Sequence, residues 1–178
     1  RVAVLPVALH EPAVGPAAGL VEGDWKDRDA LLRIGRDVEV LTLENEFVDA
    51  EFLMAVEEAG TPVRPHPARM RVVQDKALQK QRLADEGLPV PPFAVPDSVD
   101  ELEAIGRDLG WPLMLKSRHL GYDGYGNALC ANLDEARAAY PVLAERGGGV
   151  LVEAFVDFQR ELAVMVARRH GGGDAVYP

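Results

Sequence analysis

Apolar positions recur along the chain with two periods, and the change between them divides it. RVAVLPV (1–7) is a β-branched-rich run of the buried-strand type, and VEVLTLE (38–44) is a second. Between them, His10 to Gly19 holds Pro12, Pro16 and two glycines and reads as loop, while Asp27 to Gly35 reads as a short helix. From Val48 to Ala59 the period becomes helical, with Phe52, Leu53, Val56 and Ala59 on one face and Gly60 as the stop. Strand, helix, strand, helix predicts a small parallel α/β layer.

TPVRPHP (61–67) carries three prolines and predicts an extended connector, with a domain boundary there. Residues 68–86 predict one helix supported by Arg71→Asp75 and Arg82→Glu86 pairs. GLPVPPFAVP (87–96) is a second connector. Ser98 to Leu109 predicts a helix with a Ser98/Glu101 capping box and a Val99, Leu102, Ile105, Leu109 stripe, ended by Gly110 and Pro112. PLMLKS (112–117) and NALCAN (127–132) predict a hairpin around a glycine loop. LDEARAAYPVLAE (133–145) predicts a helix kinked or split at Pro141. GVLVEAFV (149–156) and ELAVMVARR (161–169) predict two strands joined by a tight turn. This second part is α+β with antiparallel pairs.

Composition narrows the function classes. The net charge is −10 over 178 residues with no dense basic block, which argues against duplex nucleic acid as a partner and leaves small anions open. Cys130 stands alone, so an internal disulfide and a cysteine zinc cluster are excluded. No apolar stretch approaches the ~20 residues that span a bilayer. The chain reads as soluble and cytoplasmic. It opens without methionine and closes at AVYP beside a strand, so truncation at both ends is expected.

The candidate chemistry centres on LKSRHLGYDGYGN (115–127). A lysine at the end of a strand is commonly a solvated edge residue, and a glycine-rich turn is common in hairpins. Together, Lys116 and a loop with Gly121, Gly124 and Gly126 point to an anion site, because glycines let backbone N–H groups approach phosphate oxygens. Lys76 and Lys80 share a helix face at i,i+4, either as solvated side chains or facing an anion. Glu153, followed by Ala154, Phe155 and Val156, offers a carboxylate and backbone groups to an adenine or ribose, and Glu161 offers a second carboxylate to ribose hydroxyls. Glu44, Asn45 and Glu46 cluster at a strand's C-terminal end, where open α/β sheets bind ligands. The histidines show no metal-ligand spacing.

VLTLENEFV (40–48), VVQDKALQKQRLADEGLPVPPF (72–93), LKSRHLGYDGYGN (115–127) and LVEAFVDFQREL (151–162) together resemble the N5-carboxyaminoimidazole ribonucleotide synthases, ATP-grasp enzymes of purine biosynthesis. The resemblance covers essentially the whole chain. It implies an ATP-grasp fold, mixed α/β and α+β, behind a small parallel α/β pre-ATP-grasp domain, incomplete at both ends. The implied domains are residues 1–66, a helix plus lid subdomain at 67–152, and the start of the central sheet at 153–178. It implies a ligase forming a C–N bond, in which ATP phosphorylates bicarbonate and the product carboxylates 5-aminoimidazole ribonucleotide. ATP and magnesium are the implied cofactors and a homodimer an admissible assembly, with neither nucleic acid nor membrane involved.

Carried over by position, Lys76 and Lys116 contact ATP phosphates. Gly121, Tyr122, Asp123, Gly124, Tyr125, Gly126 and Asn127 form a mobile loop. Glu153, Ala154, Phe155 and Val156 hold adenine, and Glu161 the ribose, while Tyr122 and Asp123 sit nearest the imidazole substrate. Tyr125 stands where the family usually has Lys or Arg. The family's glycine-rich opening segment, metal-binding acidic residues and late basic residues have no counterpart in these residues, so weak ATP binding without hydrolysis is expected of them alone. The competing expectations are another ATP-grasp ligase, of the formate-dependent ribonucleotide transformylase or biotin carboxylase type, and a non-catalytic nucleotide-binding module.

Overall fold

The computed structural model describes residues 3–4, 19–21, 23–121, 126–169 and 171–177. In the N-terminal part, β1 (Ala3–Val4) pairs in parallel with β2 (Gly19–Leu20), and β3 (Leu41–Thr42) in parallel with β4 (Val63–Arg64). Helix α1 (Arg28–Arg36) starts where the Asp27 carboxylate accepts the Asp29 amide at 2.9 Å, and α2 (Ala50–Glu58) where Asp49 accepts the Glu51 amide at 2.8 Å. Their inner faces meet the strands in a core of Leu31, Ile34, Leu41, Leu53, Val56 and Val63. Gly35 permits that approach, since a Cβ there would lie 2.8 Å from Val56 Cγ1.

The parallel layer matches the predicted class, but its second predicted strand is shorter than the run suggested. The expected strand at 38–44 narrows to two residues, and Val40 is exposed. Of RVAVLPV, residues 1–2 and 5–7 lie outside the described residues. The proline-rich connector contributes β4, and Pro67 opens α3 (Pro67–Gln74), whose Met70 packs into the N-terminal core.

The single helix expected over 68–86 is two. Asp75, extended at φ −115° and ψ 109°, separates α3 from α4 (Lys76–Asp85). Its side chain accepts the amides of Ala77 at 2.9 Å and Leu78 at 3.4 Å, a local bond that competes with the helical ladder. The expected Arg71→Asp75 pair does not form: Asp75 takes Arg118, and Arg71 lies 3.8 Å from Glu51. Arg82 and Glu86 do pair, at 2.6 Å.

The C-terminal part is built on a four-stranded antiparallel sheet in the order β5 (Phe93–Ala94), β8 (Val150–Ala154), β6 (Leu113–Ser117), β7 (Asn127–Cys130). Alternation along β6 sends Leu113, Leu115 and Ser117 to one face and Met114 and Lys116 to the other. The first face is sealed by α5 (Leu102–Leu109) and α6 (Leu133–Gly147), with Leu102, Ala136, Leu143, Val150 and Val152 in its core.

Two helix expectations change in detail. Residues 99–101 form a 3₁₀ turn before α5, and the Ser98/Glu101 capping box does not form: Ser98 makes no side-chain cap, and Glu101 accepts the amide of Asp97 at 3.1 Å, one residue before the expected donor. Helix α6 continues through Pro141, which sits on its exposed side, where the carbonyl left without a donor can turn to water.

The expected pairing of 149–156 with 161–169 is not found. Beyond β8, residues 155–164 form no regular element, and β9 (Met165–Arg168) pairs instead with β10 (Asp174–Tyr177). That hairpin turns at Gly171, Gly172 and Gly173, all with positive φ (89°, 110° and 91°), a conformation that side chains with a Cβ rarely adopt.

Candidate functional site

The open face of the sheet carries a buried carboxylate. Glu153 on β8 lies opposite Met114, so Lys116 is its diagonal neighbour on the same face. Lys116 Nζ lies 2.6 Å from Glu153 Oε2, and Lys80 Nζ, reaching across from α4, lies 2.7 Å from Oε1. The Glu153 side chain is 5% exposed, against 27% for Lys116 and 18% for Lys80. Although Lys80 supplies charge to Oε1, that oxygen has no well-aligned hydrogen-bond donor. Burial alone would raise the Glu153 pKa, but Lys116 and then Lys80 outweigh it and hold the carboxyl below its ordinary value.

A second charged node fixes the start of α4 against the end of β6. Asp75, 4% exposed, accepts from Arg118 Nε at 3.1 Å and from Arg118 Nη2, while capping α4 through its own Oδ1. The Lys76 amide donates to the Arg118 carbonyl at 3.0 Å, and the Arg118 and His119 amides donate to the carbonyls of Gly149 and Gly147. Burial pushes the Asp75 pKa up, and the Arg118 hydrogen bond with the two cap amides pulls it below the ordinary value. Gly147 permits this contact, because a Cβ there would lie 2.8 Å from the His119 carbonyl oxygen.

Lys76 leaves this node toward the loop. Its ammonium donates to the carbonyls of Ser117 at 3.4 Å and Gly121 at 3.3 Å. Its pKa is lowered by burial and then by the neighbouring charge of Lys116, with Glu46 and Glu153 opposing. The loop closes where the Ser117 amide donates to the Gly126 carbonyl at 2.8 Å, with Gly126 at φ 90°. Asn127 lies opposite Lys116. Lys76 also lines a cavity of about 270 Å³ with Glu46, Asp49, Gln74, His119 and Gly121. The N-terminal part is tied in there by Gln74, which donates to the carbonyls of Glu46 and Val48.

The fold thus brings Lys76, Lys116, Gly121, Gly126, Asn127 and Glu153 to one end of the sheet, and Glu46 beside Lys76. It leaves others apart. Glu161 is exposed in the segment before β9, not at the start of a strand, and Phe155 and Val156 are exposed. The amides of Ala154 and Phe155 already donate to the carbonyls of Pro92 and Pro112. Tyr122, Asp123, Gly124 and Tyr125 lie outside the described residues. Sequence reasoning did not single out Asp75 or Arg118. An Asp immediately before a Lys-Ala-Leu helical run is an N-cap signal that could have found the first. It left Lys80 open to an anion without naming one, and the structure supplies Glu153.

Residues 1–74 match the ribonucleotide synthetase pre-ATP-grasp domain, and residues 81–178 match the ATP-grasp domain. The chain belongs to the ATP-grasp family. Its fold is accordingly an ATP-grasp fold with a preceding pre-ATP-grasp domain. An N5-carboxyaminoimidazole ribonucleotide synthase of Synechococcus elongatus is 38% identical over 169 residues, covering 95% of this chain and 42% of that protein. A carboxyaminoimidazole ribonucleotide synthase of Aspergillus clavatus, solved in complex with ATP, superposes with a TM-score of 0.84 at 32% identity over 95% of this chain and 44% of that one. A structure of the Aspergillus clavatus synthase with ADP and 5-aminoimidazole ribonucleotide superposes at 0.81 with 29% identity, covering 93% and 42% of the two chains. The chain therefore spans about two-fifths of the length of these relatives.

Proposed function

We propose that this ATP-grasp chain serves a ligase that uses ATP and bicarbonate to carboxylate 5-aminoimidazole ribonucleotide to the N5-carboxyamino product. The observation carrying the reading is the convergence of three ammonium groups, Lys76, Lys80 and Lys116, around one carboxylate at the foot of the glycine loop. Three positive charges against the carboxylates of Glu153 and Glu46 leave a net positive site for a polyphosphate. The relatives named above supply the substrate.

In this reading Lys76 and Lys116 neutralise phosphate oxygens as bicarbonate attacks the γ-phosphorus and ADP leaves. The amine of the ribonucleotide then attacks the carboxyl carbon, and phosphate departs. The loop from Gly121 to Asn127, with Tyr122 and Asp123 toward the imidazole, Gly124 and Tyr125, covers the phosphates. Glu153, Ala154, Phe155 and Val156 serve the adenine, where the remaining strand-edge groups must do the reading, and Glu161 serves the ribose. We assign residues 1–66 to the pre-ATP-grasp domain, 67–152 to the helix and lid, and 153–178 to the central sheet.

The chemistry implies magnesium. Among the described residues no three His, Cys, Asp or Glu side chains come together in a group that could hold a metal ion, so no step is routed through it here. No described helix is long and apolar enough to cross a membrane.

ADP release by the full-length gene product tests the assignment. It should require both bicarbonate and 5-aminoimidazole ribonucleotide and fall at least ~100-fold in Lys116→Met, the scale of losing one transition-state charge contact. Release supported equally by formate or biotin would assign the chain to another ATP-grasp ligase.

A further inference from the structure

Lys116 has two calls on it in the reading above, because a phosphate must compete with Glu153 for the same ammonium. Moving Lys116 to a phosphate would leave the Glu153 carboxylate 5% exposed with one contact gone, and an unpaired buried charge is strongly destabilising. We propose that Lys80 is the standing counter-ion of Glu153, which frees Lys116 to take a phosphate oxygen without stranding a buried charge. The inference rests on the phosphate-binding reading of Lys116 and adds a positioning residue to it.

The geometry separates the two lysines by origin and by oxygen. Lys80 approaches Oε1 from α4, while Lys116 approaches Oε2 from β6, the strand that runs into the glycine loop. The start of α4 is pinned by the Asp75 cap and by the Lys76 amide bond to Arg118, so Lys80 stays over Glu153 when the Lys116 side chain turns to a phosphate. The remaining cation facing this carboxylate, Lys76, is held by the carbonyls of Ser117 and Gly121. On the β5 side, Phe93 lies opposite Glu153 and brings no charge. Among the described residues Lys80 alone is therefore placed to keep Glu153 ionised while Lys116 is engaged elsewhere.

Thermal unfolding of Lys80→Met, Lys116→Met, the double variant, and each on a Glu153→Gln background tests the counter-ion role without any ligand. Each single loss should be modest, because the other lysine remains. The double variant should lose at least ~5 °C more than the sum of the singles, about the shift of one strong interaction in a domain of this size, and Glu153→Gln should return most of it. Additive losses, or no recovery with Glu153→Gln, would overturn the proposal.

Calorimetric titration of ATP in two buffers of different protonation enthalpy tests the phosphate half. Wild type should bind with no net proton uptake. Lys80→Met should bind about tenfold more weakly and take up a proton as Glu153 loses its last partner, and Lys80→Arg should restore wild-type behaviour. Wild-type affinity in Lys80→Met without proton uptake would overturn the inference. No ATP binding by wild type would instead overturn the phosphate reading, and the unfolding cycle alone would then judge Lys80.

Discussion

Asp75 should be one of the most costly carboxylates to remove, although it touches no proposed ligand. Replacing it with alanine deletes the N-cap of α4, worth about 1 kcal/mol, and leaves the amides of Ala77 and Leu78 without that acceptor. It also strands the Arg118 guanidinium. A fully buried pair broken this way costs about 3–5 kcal/mol, but the Arg118 side chain is 29% exposed and can reach water, so about 1–2 kcal/mol is the appropriate share. The sum is about 2–3 kcal/mol, or roughly 5–10 °C in melting temperature for a chain of this size. Asp75→Asn keeps an oxygen acceptor for the cap and should lose about half as much.

The pH dependence separates the two parts. The folded Asp75 pKa lies below its unfolded value, so the ion-pair stabilisation is fully present above about pH 4 and disappears as pH falls through the folded pKa. Urea unfolding at pH 7 and near pH 3 is the assay. The gap between wild type and Asp75→Asn should be open at pH 7 and should narrow in acid. A loss under about 0.5 kcal/mol for the alanine variant, or a gap unchanged between the two pH values, would refute the argument.

Two further changes probe the same framework. Gly147→Ala would put a Cβ 2.7 Å from Ser117 Cβ and 2.8 Å from the His119 carbonyl oxygen, and should cost about 1–3 kcal/mol in chemical denaturation; an unchanged midpoint would mean that the end of α6 does not seat against β6 as described. Cys130, 1% exposed with its thiol pKa pushed up by burial and then by Glu135, should resist thiol reagents in the native chain and react fully in urea. Fast native labelling would show that the β7 edge opens.

The sequence alone carried those features whose causes are local. The Val99-to-Leu109 stripe, the glycine stops after α2 and α5, and the Asp27 and Asp49 caps need only neighbours a turn away, and the predicted helices there are found. The short runs on either side of the glycine loop likewise marked the β6–β7 hairpin. The motif order along the chain was enough to read the family.

Contacts between distant residues were decided only in three dimensions. Neither proline nor glycine interrupts residues 68–86, and the break at Asp75 is supported by Arg118, which is 43 positions away. The apolar runs alone leave β9 free to pair back with β8 or forward with β10, and the local signal for the forward pairing is the glycine run at 171–173, which favours the shorter turn. Glu153 read as a strand-end carboxylate open to an adenine or ribose, since burial and two lysines from different elements are properties of the packed sheet. A carboxylate's ionisation depends on its solvent exposure and on the charges within a few ångströms, and for Glu153 both come from residues at 80 and 116, which only tertiary packing brings to it.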